Sequence, residues 1–275
     1  MCMAATVDQV RIAAELGVAR HFDAAAEIAR RTAFVAGYVR SAAAHTLVLG
    51  ISGGVDSTVT GRLCQLAAEQ LRSEGLQVRF IAMRLPYGIQ ADEADAQRAI
   101  TFIDPDENLS VDVKPASDAA LAALHAGGLR YTDAFQEDFV LGNIKARQRM
   151  IAQYAVAGAT GGLVVGTDHA AEALMGFFTK FGDGGYDIAP LFGLTKRQVR
   201  AIASALGADA GLAGKIPTAD LETLRPQRPD EAALGVSYEV IDDFLEGLPV
   251  DLGPSQLIAT TFRRTAHKRA LPAAP

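Results

Sequence analysis

The sequence predicts an α/β protein built around a parallel sheet. Four short apolar runs, at 46–49, 78–83, 109–113 and 163–165, are bounded by glycine or polar residues and read as strands buried on both faces. Helical patterns at 56–72, 91–103, 115–125 and 133–157 separate or follow them. Strand–helix alternation of this kind implies parallel neighbours joined by right-handed crossovers. Ligands on such sheets sit at the carboxyl ends of the strands, so the residues after each strand are the first candidates for a site.

Each element has its own signal. Ahead of the first strand, 22–41 reads as an amphipathic helix, and residues 1–20 read as an N-terminal segment without a clear pattern. The uncharged window 150–167 contains four glycines and a glutamine. It reads as a helix end, a turn and a buried strand, too interrupted for a membrane span. Beyond residue 190 the text is helical but broken. Thr195 is an N-cap candidate for a helix over 195–206. The stretch 207–229, with two glycines and three prolines after Gly207, reads as an irregular functional loop. Helical patterns return at 238–245 and 256–268, and 270–275 is expected to fray. No repeat or linker breaks the 275 residues, so one domain is expected.

Composition narrows the function classes. Hydrophobic residues are 49% and charged residues 21%, as in a soluble globular protein. A formal net charge of −6 does not favour broad binding to nucleic acid or to anionic membrane. Two cysteines, Cys2 and Cys64, provide no disulfide framework and no metal-ligand spacing. With no signal-peptide layout at the N-terminus, a cytoplasmic setting is expected.

The most specific stretch is "LVLGISGGVDSTVTG", residues 47–61. Gly50-Ile51-Ser52-Gly53-Gly54 fits the G-x-S-x-G elbow of a serine hydrolase, with His169 and His267 as available partners. Ser52 to Ser57, S-G-G-V-D-S, fits a phosphate cradle instead. Gly53 and Gly54 allow tight turns and close approach of an anion, and the following helix N-terminus attracts phosphate. Asp56 decides between the two. Its charge repels bare phosphate and makes sense there only through a metal ion such as Mg2+. The Walker A ending G-K-[ST] is absent.

A second cluster, "VVGTDHAAEALMGFFTKFGDGGYD" at 164–187, opens at a predicted strand end. It brings together Thr167, Asp168, His169, Glu172, Lys180, Asp183 and Asp187. Glu172 follows Asp168 by four, so both fit one helix face, and one of them could join Asp56 as a metal ligand. Taken alone, the same spacing also fits a helix cap at Asp168 and a solvated Glu172.

S-G-G-x-D-S after a strand resembles the pyrophosphatase-loop ATPases, which cleave ATP between its α and β phosphates and adenylate a carboxyl or carbonyl oxygen. The cluster at 164–187 resembles the signature of the ammonia-dependent NAD synthetases. So do "RLPYGIQADEADAQ" (84–97), "GNIKARQRM" (142–150), "PLFGLTKRQV" (190–199), "PTADLE" (217–222), "DEAALGVSYEVIDDFLEG" (230–247) and "HKR" (267–269), in order from about residue 20 to residue 269.

The resemblance implies a doubly wound, Rossmann-like fold and a homodimer. It implies ATP-dependent amidation of deamido-NAD+ by ammonia, giving NAD+, AMP and pyrophosphate. ATP would be a co-substrate and Mg2+ the cofactor. It places Gly50, Ile51, Ser52, Gly53, Gly54, Val55, Asp56 and Ser57 on the ATP phosphates, with Arg84, Gln90, Thr167, Lys196 and Thr218 as further ATP contacts. Asp56 and Glu172 match Mg2+ ligands. Arg147, Lys180, Asp187, His267 and Lys268 match deamido-NAD+ contacts, with Tyr38 and Asn143 as plausible additions. Asp183 matches a position associated with ammonia. Asp56, Glu172, Lys196 and Asp183 are thus the expected catalytic set. The loop at 207–229, through Thr218, is the candidate lid. Relatives that use glutamine carry an added amidase domain, for which 275 residues leave no room, so free ammonia is the expected nitrogen source.

Overall fold

A computed structural model describes residues 7–89, 93–219, 223–224 and 228–274. The chain runs α1 (Val7–Glu15), α2 (Ala24–Ser41), β1 (Thr46–Gly50), α3 (Val55–Ser73), β2 (Arg79–Arg84), α4 (Glu93–Ile103), β3 (Glu107–Ser110) and α5 (Lys114–Ala126). It continues through α6 (Ala134–Thr160), β4 (Gly162–Val164), α7 (Ala170–Met175), α8 (Lys196–Ala205), α9 (Ala210–Ala213), β5 (Thr218–Ala219) and β6 (Arg228–Pro229). The last helices are α10 (Asp230–Leu234), α11 (Tyr238–Glu246), α12 (Leu252–Arg264) and α13 (Ala266–Arg269).

The main sheet has the order β3-β2-β1-β4, with every pairing parallel. Alternation along the strands fills both faces. Leu47 and Leu49 of β1 and Phe80 and Ala82 of β2 join the cluster built with α2, α3 and α4. Val48, Ile81 and Met83 point the other way, onto Ala157 of α6 and Val113. A sheet covered on both faces needs apolar side chains at nearly every position, which is why these strands are continuous apolar runs. The order reverses between β1 and β4, and a crevice opens at that switch point, beyond their carboxyl ends.

A third cluster joins the first half of α3 (Val55, Val59, Leu63) to Leu191, Leu194 and the α8 residues Val199, Ile202 and Ala203. A fourth packs α1, α7, α11 and α12 around Ile12, Leu174, Ile241, Phe244, Ile258 and Phe262. Together these two clusters set α8 and α7 beside the start of α3.

Several expectations need correction. The N-terminal segment is a helix over Val7–Glu15 that buries Ile12. The third strand lies at Glu107–Ser110 rather than 109–113. It is an edge strand with alternating exposure, so it needs no continuous apolar run, although Val111 and Val113 still donate backbone hydrogen bonds to the carbonyls of Arg84 and Pro86. The segment 207–229 is not wholly irregular. Asp209 caps the short α9 through the N–H groups of Gly211 and Leu212, and β5 pairs with β6. Asp138 of α6 accepts the backbone N–H groups of Thr223 (2.9 Å) and Leu224 (2.7 Å). The helix expected at 256–268 begins earlier and breaks at Thr265 into α12 and α13. Among the described residues, no helix is long and apolar enough to cross a membrane.

Candidate active site

The loop between β1 and α3 is the first wall of the crevice. Gly53 has φ +83°, and a Cβ there would lie 2.8 Å from the backbone nitrogen of Ala96. Only glycine combines that left-handed backbone with so close an approach. The Ser52 and Ser57 hydroxyls lie 3.1 Å apart, and the Ser52 hydroxyl also accepts the Gly54 N–H. Gly54 is the N-cap of α3, so Asp56 falls in the helix's first turn. A serine hydrolase would need Ser52 bonded to a histidine. Ser52 is bonded within its own loop, and neither ring nitrogen of His169 has a hydrogen-bond partner.

Lys196 comes from 140 residues away to donate from Nζ to Asp56 Oδ2 at 2.7 Å. Two devices fix it. Thr195 and Gln198 form a capping box at the start of α8. The buried Asp242 of α11 accepts the backbone N–H groups of Lys196 (3.0 Å) and Arg197 (2.7 Å). The lysine itself is 1% exposed. Burial works against both charges. The attraction of Lys196 nevertheless holds Asp56 below the usual carboxylate range, and Asp56 with Glu172 holds Lys196 above the usual lysine value.

The third wall follows β4. The expectation that Asp168 and Glu172 share a helix face fails, because His169 is the N-cap of α7 and Asp168 precedes it. The two carboxylates make different contacts, although the charge of Asp168 still raises Glu172. Asp168 accepts the Tyr186 hydroxyl at 3.1 Å. Glu172, with His169, faces Asp56. His169 Nε2 lies 3.5 Å from Asp56 Oδ1 and 3.6 Å from Glu172 Oε2. Burial pushes Glu172 well above the usual range, with Asp56 adding repulsion, and it pushes His169 down to about 3, so the imidazole is neutral. Deeper in the cleft, burial and then Asp183 raise Asp168 to about 7. Asp183 is an exposed residue, yet desolvation by the groups packed around its carboxyl raises it, against the Thr179 N–H that it accepts at 2.8 Å.

These walls enclose a cavity of about 540 Å3. It is lined by most of the Gly50–Ser57 loop and by Thr167, Glu172, Asp183 and Lys196, together with Asn143, Arg149, Lys215 and Lys268. The donor set suits a hard divalent cation. Asp56 gives one oxygen to Lys196, while its Oδ1 is buried without a hydrogen-bond partner and faces the carboxylate of Glu172.

The NAD synthase family model matches residues 27–272. The chain belongs to the NAD synthase family. It is 66% identical over 261 residues to an NH(3)-dependent NAD(+) synthetase of Burkholderia pseudomallei, spanning 95% of this chain and 92% of that protein. It is 64% identical to an NH(3)-dependent NAD(+) synthetase of Streptomyces coelicolor, covering 97% of each. The crystal structure of NAD+ synthetase from Burkholderia pseudomallei superposes with a TM-score of 0.84 at 63% identity over 96% of both chains. An NMN synthetase structure from Francisella tularensis gives a TM-score of 0.80 at 32% identity, over 93% of this chain and 99% of that one.

Of the other residues expected from the sequence, Lys268 and Asn143 line the cavity, whereas Arg147, Lys180, Asp187, Arg84 and Tyr38 are not in its lining. Arg147 donates to the Lys180 carbonyl at 3.3 Å, and Lys180 Nζ to the His267 carbonyl at 2.6 Å. Lys268 Nζ donates to the Gly176 carbonyl at 2.7 Å, so the "HKR" motif caps the C-terminal end of α7. Asp187 accepts the Val164 N–H (2.7 Å) and the Tyr154 hydroxyl (3.1 Å). Asn143 accepts the Thr179 hydroxyl at 2.8 Å. Arg84 is buried in an ion pair with Glu93 at 2.7 Å. Tyr38 is exposed on α2 beside Phe34. Gln90 lies outside the described residues, as does the side chain of Thr218. Sequence reasoning offered His169 only as a possible hydrolase partner and gave no role to Tyr186, Asp242 or Lys215. His169 carried one usable signal, its place between two acids in "TDHAAE".

Proposed function

We propose that this cleft amidates deamido-NAD+ with ammonia, consuming ATP and releasing AMP, pyrophosphate and NAD+. Relatedness at 64–66% identity to NH(3)-dependent NAD(+) synthetases supports the reaction class. The observation that carries the mechanism is Asp56, with one oxygen on Lys196 and the other unpartnered beside Glu172.

The backbone N–H groups of the Gly50–Ser57 loop and the N-terminus of the 19-residue α3 hold the ATP phosphates. The Ser52 and Ser57 hydroxyls can turn from each other toward phosphate oxygens. The nicotinate carboxylate must approach the α-phosphate of a polyanion. At about 4 Å with an effective dielectric of about 20, one repelling charge pair costs roughly 4 kcal/mol. Lys196 brings a fixed positive charge to that contact. A Mg2+ ion held by Asp56 and Glu172 would supply further charge neutralisation at the phosphates. The carboxylate oxygen attacks the α-phosphorus in line, and pyrophosphate leaves with the electrons of the broken P–O bond.

Asp183 then takes a proton from ammonium, a role suited to a carboxylate in the cavity lining whose affinity for protons is raised by local desolvation. Neutral ammonia attacks the acyl carbon of the adenylate, and AMP leaves. Lys215, Ile216 and Pro217 add to the cavity wall and would help exclude water from the adenylate. Arg147, Lys180, Asp187, His267 and Lys268 form the dinucleotide end, with Asn143 nearer the cleft. Arg84, Thr167 and Thr218 remain assigned to ATP.

A homodimer fits the exposed aromatic and aliphatic residues on α6, namely Phe135, Phe139, Ile151 and Tyr154, and Phe34 and Tyr38 on α2. A cytoplasmic setting fits the chemistry, since ATP and ammonium are both substrates.

The test incubates the protein with ATP, Mg2+, ammonium and either deamido-NAD+ or nicotinate mononucleotide. NAD+ and AMP are expected in equal amounts from the dinucleotide. ADP in place of AMP would remove adenylation. Preferential amidation of the mononucleotide would move the protein to the reaction of its Francisella tularensis relative.

A further inference from the structure

We propose that His169 binds the divalent cation directly through Nε2, so that the centre is Asp56–His169–Glu172 and prefers Mn2+ to Mg2+. The inference rests on the reading above that Asp56 and Glu172 hold a metal, and adds to it a nitrogen ligand.

Two buried polar atoms, Asp56 Oδ1 and His169 Nε2, face each other beside Glu172 without hydrogen-bond partners. His169 is 1% exposed, and both of its ring nitrogens lack a hydrogen bond. Asp56 Oδ1 is likewise buried and unbonded. Buried polar groups without partners are rare, and each needs a physical reason. Here one reason serves for the group: the donor atoms of Asp56, His169 and Glu172 lie within 4.8 Å of one another. At 3.5 and 3.6 Å, the two contacts of Nε2 are too long for good N–H···O bonds. They are within about half an ångström of the spacing of neighbouring ligands of one ion. Two donors each about 2.1 Å from an octahedral ion, at a right angle, lie about 3.0 Å apart.

The surroundings hold the ring in place. It packs in a tilted contact with Tyr238, at 6.4 Å between centroids, at the N-cap of a helix anchored in the α1–α11–α12 cluster. Lys196 occupies Asp56 Oδ2, which leaves Oδ1 to face the imidazole. A neutral imidazole offers one lone pair, so the set is two carboxylate oxygens and one nitrogen. Mg2+ favours an all-oxygen octahedron and dehydrates reluctantly, whereas imidazole suits transition ions.

The deciding experiment is electron spin-echo envelope modulation of Mn2+ bound to the intact protein, with and without ATP. Nitrogen-14 modulation is expected in the wild type, converting to nitrogen-15 modulation when histidine alone is isotopically labelled. The labelling also separates His169 from the adenine ring. In His169→Gln the modulation should vanish and the Mn2+ Kd should rise by about tenfold or more, with the Mn2+/Mg2+ affinity ratio falling. If Mn2+ binds in a manner lost in Asp56→Asn but shows no histidine coupling, His169 is not a ligand and the two-carboxylate reading stands. If no Asp56-dependent Mn2+ binding occurs even with ATP, both fall. The labelled wild type decides the point even if His169→Gln does not fold.

Discussion

At one end of the cleft Asp56 meets a lysine; at the other, Asp168 is buried and Asp183 is exposed, and among the described residues neither forms an ion pair. The same side chain is driven in opposite directions by this difference. Desolvation opposes charge in both places. The Lys196 ammonium reverses it for Asp56, while Asp168 and Asp183, with hydroxyl or backbone donors instead, are held above the usual carboxylate range. The phosphate end is thus charged before substrate arrives. At the other end Asp168 is raised to about 7 and Asp183 is raised as well, so both bind a proton more readily than an ordinary carboxylate.

Removing the charged end should have the largest effect. Asp56→Ala is expected to lower kcat by ~10³-fold or more, measured as AMP release. Near-normal turnover would remove Asp56 from the phosphate end. Lys196→Met should come next, because it leaves Asp56 buried beside Glu172 without a cation. A stability loss of about 3–5 kcal/mol in urea unfolding is expected; no loss would mean the pair contributes nothing to the fold.

The other end makes the opposite prediction. Asp168 keeps its proton in the fold up to about pH 7, whereas the unfolded chain releases it near the ordinary carboxylate value of about 3.9. Between those values the folded state binds the extra proton, so the stability due to this group falls as pH rises, and the full penalty is present above about pH 7. Asp168→Asn removes that penalty. The variant should match the wild type near pH 4 and exceed it by up to ~4 kcal/mol at pH 8. Unfolding curves at the two pH values check this, and a variant less stable at pH 8 than at pH 4 relative to wild type would contradict it. The most local change is Asp183→Asn, expected to raise the KM for ammonium by ~10²-fold while leaving the KM for ATP nearly unchanged. Equal shifts in both would make Asp183 a general structural group.

Elements with a self-contained signal were legible in the sequence. The strands at 46–49 and 78–83 and the helix at 56–72 match β1, β2 and α3 to within a residue or so, because each is short-range patterning against a fully covered sheet. The phosphate loop was legible for the same reason, since its turn, glycines and aspartate lie within eight residues. Where a signal depended on what packs opposite, it was misleading or missing. β3 is an edge strand exposed on alternate residues. α1 has order through Ile12 and Leu16 buried against α11 and neighbouring helices. Asp168 and Glu172 are helix-face partners only if the helix already includes Asp168, whereas the cap at His169 leaves Asp168 outside it.

By itself, the sequence determined the α/β class, the phosphate loop and the family, all carried by residues close together in the chain or by motifs in a fixed order. Only the tertiary structure decided that Lys196 takes one oxygen of Asp56 and that His169 stands unpartnered between the other oxygen and Glu172. That decision belongs to the packing of α8 and α7 beside the start of α3, through apolar contacts between segments more than a hundred residues apart. Charge and burial act on distance in space, and no local pattern encodes that distance.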